Sequence, residues 1–347
     1  MHRRNRLMRA ITALLTLLPL AICALSGCSA RGTEPSPHEE TTNYPLTFEN
    51  CGVTVTIDRP PQRVVSLYQA STEILLSLGL ADRMVGTSTW FDPVLPALAE
   101  DNASVPRLAD NDPSLETVLA AEPDLVTSAS AHTFTPAVVA ERARLGQLGV
   151  ATYQSPSVCT GAEVDGETVT RTEPLTFDTL FDEINQLARM FDVPERGARL
   201  VDDLQRRLSE ASLEPKPGTT VAYWFSGLRT PSMAGCCSAP GLYTAALGLA
   251  NVFADASEDW PEVSWEAVAA RDPDVLVLAD LNRRRIDGDA LDAKIGFLES
   301  NPVTRHMTAV RNKRYVVLTG SELDPGIRQV QAVEKMAAGL ESFGLVS

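Results

Sequence analysis

Apolar and polar positions divide the chain into three stretches of different texture. Arginines at positions 3, 4, 6 and 9 precede an apolar run from Ala10 to Leu25, broken only by Thr12, Thr16 and Pro19. Residues 29–45 are polar, with almost nothing to build a core from, and read as a flexible tether. From Leu46 onward, short apolar runs alternate with segments of helical period. Strands are predicted at Val64–Leu67, Met84–Thr87, Leu125–Ser128 and Ala151–Gln154, and again at Thr220–Trp224, Val275–Ala279 and Tyr315–Leu318. A hairpin pairs Leu46–Glu49 with Val53–Ile57 around Asn50-Cys51-Gly52. Strand–helix alternation with apolar strands implies parallel sheets covered on both faces.

The pattern repeats. Ser114-Leu115-Glu116…Pro123-Asp124-Leu125-Val126 returns as Ser264-Trp265-Glu266…Pro273-Asp274-Val275-Leu276, with the serine, glutamate, proline and aspartate at matching offsets. The serine suits an N-cap, the glutamate sits in the first turn, and Pro-Asp ends the helix before a buried strand. A second echo sets Leu78-Gly79-Leu80-Ala81-Asp82 against Leu247-Gly248-Leu249-Ala250-Asn251, each with glycine where a helix C-cap needs it. Both echoes in one order argue for two α/β lobes of one topology.

Between the lobes, residues 175–213 carry apolar positions at helical spacing. Asp192-Val193-Pro194-Glu195 resembles a capping box opening a helix to about Ala211, near 30 Å long at about 1.5 Å per residue. The predicted organisation is a leader over 1–27, a tether over 28–45, an N-terminal lobe over 46–174, linking helices over 175–213 and a C-terminal lobe over 219–347. The expected fold class is α/β: two Rossmann-like lobes with parallel sheets, joined by a single long backbone helix.

The basic segment and apolar run match a secretory signal, and Leu25-Ser26-Gly27-Cys28 resembles the bacterial lipobox, which implies a lipid on Cys28 and a chain held to the outside of the cell membrane. Losing the four leader arginines takes the formal charge from −15 to −19. So acidic a protein is a poor partner for nucleic acid. Cys51, Cys159, Cys236 and Cys237 are an even set in an oxidising compartment, with three possible pairings. The favoured reading is Cys51–Cys159 plus a vicinal Cys236–Cys237 bridge.

Arg63-Val64-Val65-Ser66-Leu67, Ser71-Thr72-Glu73-Ile74-Leu75, Leu78-Gly79, Ser114-Leu115-Glu116 and Pro123-Asp124-Leu125-Val126 occur in an order that resembles the class III, helical-backbone substrate-binding proteins of ferric-siderophore, haem and vitamin B12 importers. The resemblance covers the chain from about Leu46 to its end. It implies a monomer with a shallow cleft between two lobes, little hinge motion, and partners in an ABC permease and its ATPase. It implies that Glu116 and Glu266 dock on permease arginines, against the plainer reading of first-turn carboxylates that favour the helix dipole. It implies no cofactor, iron entering only as part of a bound ferric siderophore.

In open α/β lobes, ligands lie beyond the carboxyl ends of the strands. Tyr68, Trp90, Arg107, Trp224, Tyr243, Arg283 and Arg328 are the candidate ligand residues, aromatic walls for an organic chelate and arginines for its anionic groups. Phe91, Phe225, Arg229 and His132 lie in the same segments; His132 is a single candidate haem ligand, in competition with Tyr68 or Tyr243. Trp90 and Trp224 equally suit a core, and Arg283-Arg284-Arg285 equally suits a solvated loop. Asp110 stands where some hydroxamate binders of the family carry arginine, which keeps haem and cobalamin open beside a siderophore. No Gly-x-Ser-x-Gly, Ser-x-x-Lys, His-Glu-x-x-His or Walker loop supports the rival reading of an extracellular hydrolase.

Overall fold

The computed structural model describes residues 42–165, 168–281 and 289–347. Strands β1 (Leu46–Asn50) and β2 (Val53–Ile57) form the expected hairpin. Its two-residue turn puts Cys51 at φ 49° and Gly52 at φ 75°, the left-handed pair that matches the twist of a hairpin. In the N-terminal lobe, β3 (Val64–Leu67), β4 (Met84–Ser88), β5 (Leu125–Ser128) and β6 (Ala151–Gln154) form a parallel sheet in the order β4-β3-β5-β6. Val64 and Leu125 face one core, Val65, Leu67 and Val126 the other. Burial on both faces is why these strands read as unbroken apolar runs.

A second hairpin, β7 (Ala162–Asp165) with β8 (Thr168–Arg171), was not visible in the pattern. It leaves the N-terminal lobe and bonds to the other: Arg171 N donates to Ser257 O, and the Arg171 guanidinium pairs with Asp259 at 2.9 Å, both largely buried. In the C-terminal lobe, β9 (Thr220–Ser226), β12 (Val275–Asp280) and β13 (Tyr315–Thr319) are parallel. The short β10 (Ser232–Met233) is antiparallel to β9, and β11 (Ala250–Asn251) pairs β9 in parallel.

The repeat has a structural reason. Asp124 accepts from the backbone N–H groups of Gln62 and Arg63, at the start of β3, while Asp274 accepts from the N–H and hydroxyl of Thr220, at the start of β9. Each Pro-Asp therefore pins the strand beside its own. Gly79 and Gly248 adopt φ 69° and 63°, and in each copy the next residue donates back across the turn, Leu80 N to Leu75 O and Leu249 N to Thr244 O.

Two packed helices cross between the lobes: α1 (Phe177–Met190) and α2 (Pro194–Glu210). The capping box is absent. Val193 is the N-cap, without a side-chain bond, and Asp192 turns to φ 56° and accepts from Thr42 N instead. At 17 residues α2 is about 25 Å long, shorter than the 30 Å expected. It still touches both lobes, with Arg196 on the carbonyls of Leu78 and Gly79 and Arg207 in a bidentate pair with Glu334.

Cys51–Cys159 and Cys236–Cys237 are both bonded. The first ties the β1–β2 turn to the end of β6; the second lies where Cys237 O accepts from Leu175 N, at the crossing between lobes. No helix among the described residues is long and apolar enough to cross a membrane. The leader, Cys28 and Arg283, with Arg284 and Arg285, lie outside the described residues.

Candidate ligand-binding cleft

The carboxyl ends of the two sheets face a small cavity of about 60 Å³. Tyr68, Phe91 and Asp92 line it from the N-terminal lobe, Phe225, Leu281, Gly320 and Asp324 from the other. Tyr68 follows β3 directly, at φ 108°, and Thr89 follows β4 at φ 61°. Such backbone is costly outside glycine and persists only where its surroundings hold it. Here Tyr68 N donates to Ser88 O and Gln69 N to Thr89 O, so each strained turn braces the other. The Tyr68 ring meets Phe91 edge-on with centroids 5.1 Å apart, and its hydroxyl donates to Asp324 Oδ2 across the cleft at 2.9 Å. Behind Phe225 stands Trp260, 4.8 Å away between centroids.

Below the cavity the lobes are joined by charge. Arg328, 7 % exposed, makes a bidentate pair with Glu73, Nε to Oε2 at 2.7 Å and Nη2 to Oε1 at 2.5 Å, and also donates to Pro93 O. Ser321 N donates to Asp92 Oδ2. Glu322, buried, accepts from Thr319 N and pairs with Lys335 at 2.7 Å. Glu73, Asp92 and Glu322 thus each have a partner within the protein.

The candidate residues scatter. Tyr68 lines the cavity. Trp90 does not: its indole donates to Thr87, Arg107 stacks over it at 5.0 Å, and Arg107 pairs with the exposed Asp110 at 3.2 Å. Trp224 is a correction. It is fully buried, donating to the carbonyls of Ser226 and Gly227 and meeting Trp265 edge-on, because its position in β9 points it into the core behind the sheet. Tyr243 is another, fully buried with its hydroxyl donating to Glu322 O at 2.6 Å, and burial pushes its phenol well above the usual range. Arg328 is the third: it faces the seam, and its guanidinium is spent on Glu73. His132 does not line the cavity.

Asp92 and Asp324 were missed. Both follow the carboxyl end of a strand, β4 and β13, so the strand-end rule reaches them, although they are neither aromatic nor basic. Glu116 and Glu266 are exposed in the first turns of equivalent helices, Leu115–Ala120 and Trp265–Arg271, whose serines Ser114 and Ser264 each accept from the N3 backbone at 3.2 Å. The Glu116 carboxyl is held below the ordinary 4.5, first by its own backbone N–H and then by the Ser114 hydroxyl.

A family model described as periplasmic binding protein matches residues 64–322. The chain belongs to this family. The vitamin B12-binding protein of Vibrio cholerae is 26% identical over 223 residues, 64% of this chain and 71% of the relative. A periplasmic binding protein from Veillonella parvula superposes with a TM-score of 0.74 at 25% identity, over 86% of this chain and 97% of that one. An ABC-type Fe3+-hydroxamate transport protein from Saccharomonospora viridis does so with a TM-score of 0.67 at 28% identity, over 86% and 99%. This periplasmic binding protein is therefore of the ABC-importer type and extracytoplasmic, a solute carrier and not an enzyme, with a permease as its partner.

Proposed function

We propose that the chain captures a bulky metal chelate in the inter-lobe cleft and delivers it to a permease, and that the cargo is a corrinoid before a ferric siderophore. The observation that carries this is the make-up of the cavity: aromatic rings from both lobes around two carboxylates. About 60 Å³ admits one small side group, so the body of a chelate rests on the rings outside it. The amide arms of a corrin are donors, and the carboxylates of Asp92 and Asp324, which line the cavity, are acceptors. Among the described residues, the arginines expected to meet an anionic chelate, Arg107 and Arg328, are engaged by Asp110 and Glu73. The likeness to a vitamin B12-binding protein points the same way. A siderophore is the second reading, favoured by the likeness to the Fe3+-hydroxamate protein.

Titration of tryptophan fluorescence with cyanocobalamin, a ferric hydroxamate, a ferric catecholate and haem tests both. Trp90 and Trp260 stand near the cleft, and a coloured ligand quenches them. Cyanocobalamin is expected to bind with Kd below about 10 μM, near −7 kcal/mol. Binding of a ferric chelate alone replaces the first reading by the second, and no binding by any of the four sinks both. The lipobox supports anchoring through Cys28; Cys28→Ser is expected to move the protein from the membrane fraction to the soluble one, and retention in the membrane counts against the anchor.

A further inference from the structure

Gln69 is the second residue past β3, 1 % exposed, and lines no part of the cavity. Its Oε1 accepts three hydrogen bonds, from Phe91 N at 3.1 Å, Asp92 N at 3.0 Å and Ser321 Oγ at 3.1 Å. Its Nε2 donates to Glu73 Oε1 at 3.2 Å. That last bond sets the amide's orientation: reversed, the NH2 would face two backbone N–H groups, and the carbonyl would face a carboxylate. Phe91 and Asp92 form the N-terminal wall of the cavity. Ser321 lies between Gly320 and Asp324, which form the opposite wall, and its own N–H donates to Asp92. One oxygen therefore serves both walls.

The residues just after the wall are held in the same way from the same helix, Gln69–Ser77, one turn on. Glu73 Oε1 accepts from Leu95 N, and Arg328, fixed by Glu73, donates to Pro93 O. Between them Gln69 and Glu73 take the backbone of the segment 91–95 at both its ends. A buried backbone N–H left without an acceptor costs about 1–3 kcal/mol, so the segment has strong reason to keep this one path.

We propose that Gln69 is the positioning residue of the cleft: without touching cargo, it presets Phe91 and Asp92 against Ser321, so that the seat exists before the ligand enters. The proposal rests on reading this cleft as the cargo seat. Affinity then depends on Gln69 through the order of the wall, because a seat already formed spares binding the cost of ordering it.

Two variants separate this from a general loss of stability. Gln69→Leu keeps much of the volume and removes the acceptor; Trp224→Phe alters the core behind the C-terminal sheet and leaves the wall's hydrogen bonds in place. Amide hydrogen exchange over residues 90–95 and 320–323 is measured in the unliganded protein, with cyanocobalamin affinity and urea stability alongside. Gln69→Leu is expected to speed exchange at Phe91 and Asp92 and to weaken cyanocobalamin binding, each by about tenfold, and Trp224→Phe to lower stability with neither effect. Unchanged exchange in Gln69→Leu overturns the proposal. So does a Trp224→Phe protein that matches Gln69→Leu in exchange over 90–95 and in affinity, the result of a merely structural role. If the unaltered protein does not bind cyanocobalamin, the corrinoid reading fails by itself, and the exchange comparison still decides the positioning. Should Gln69→Leu not fold, Ser321→Ala removes one donor from the opposite wall; faster exchange over 90–95 supports the proposal, and no change overturns it.

Discussion

Glu183 offers the sharpest test of how the seam is built. It lies on α1, 3 % exposed, with Oε2 accepting from Ser155 Oγ at 2.6 Å and Oε1 without a partner among the described residues. It lines a cavity of about 10 Å³ with Ser157, Thr176 and Thr179 on its own side and Gly326 and Gln329 opposite. The charged or titratable neighbours are Asp182 and the buried Tyr153, whose phenol the two carboxylates push up after burial itself has done so. No cationic group among the described residues compensates, and burial raises the Glu183 carboxyl from 4.5 to about 7 against the opposing bond from Ser155. Its folded value exceeds its unfolded one, so the folded protein holds the proton more tightly. The stability this contributes is complete below about pH 4.5 and is lost as pH rises through about 7. At about 1.36 kcal/mol per unit the swing has a ceiling of about 3 kcal/mol. Glu183→Gln, which cannot ionise, is expected to remove it. In urea unfolding followed by circular dichroism and fluorescence, the variant should gain about 2–3 kcal/mol on the parent at about pH 8, and differ little at about pH 4.5. A constant difference between the two proteins across that range would refute the reasoning.

Arg328→Met leaves Glu73 buried and unpaired and is expected to cost about 3–5 kcal/mol, whereas Arg328→Met with Glu73→Gln costs clearly less; equal losses would mean that the pair is not the unit. Neutralising Glu116 and Glu266 together is expected to abolish uptake while leaving ligand affinity within about twofold, since both side chains are exposed and outside the cavity. Uptake that survives the double change removes the docking assignment. Trp224→Phe is expected to lower stability by about 1–3 kcal/mol and leave cyanocobalamin affinity unchanged, as suits a core residue.

Much of this protein was legible before folding because its information is local. The two-lobe repeat, the seven sheet strands, the glycine caps at Gly79 and Gly248 and the serine caps at Ser114 and Ser264 all follow from short-range rules of period, capping and turn chemistry. Each was found within a residue or two of its place. The Asp192 capping box failed because a tertiary partner, Thr42 N, won the carboxylate. The β7–β8 hairpin was invisible because its reason for existing, the Arg171–Asp259 pair, spans 88 residues.

The site divides along the same line. By itself the sequence determined that Tyr68, Phe91 and Phe225 stand at strand ends, since strand position fixes which end of a sheet a residue leaves from. It could not decide which way a side chain turns from there. Trp224 and Phe225 are neighbours in β9, yet alternation along a strand sends one into the core and the other to the cleft. Arg328 reads as a ligand clamp until Glu73, 255 residues away in the chain, is seen to hold it. A guanidinium binds whichever carboxylate the fold brings nearest, and only the tertiary structure decides that.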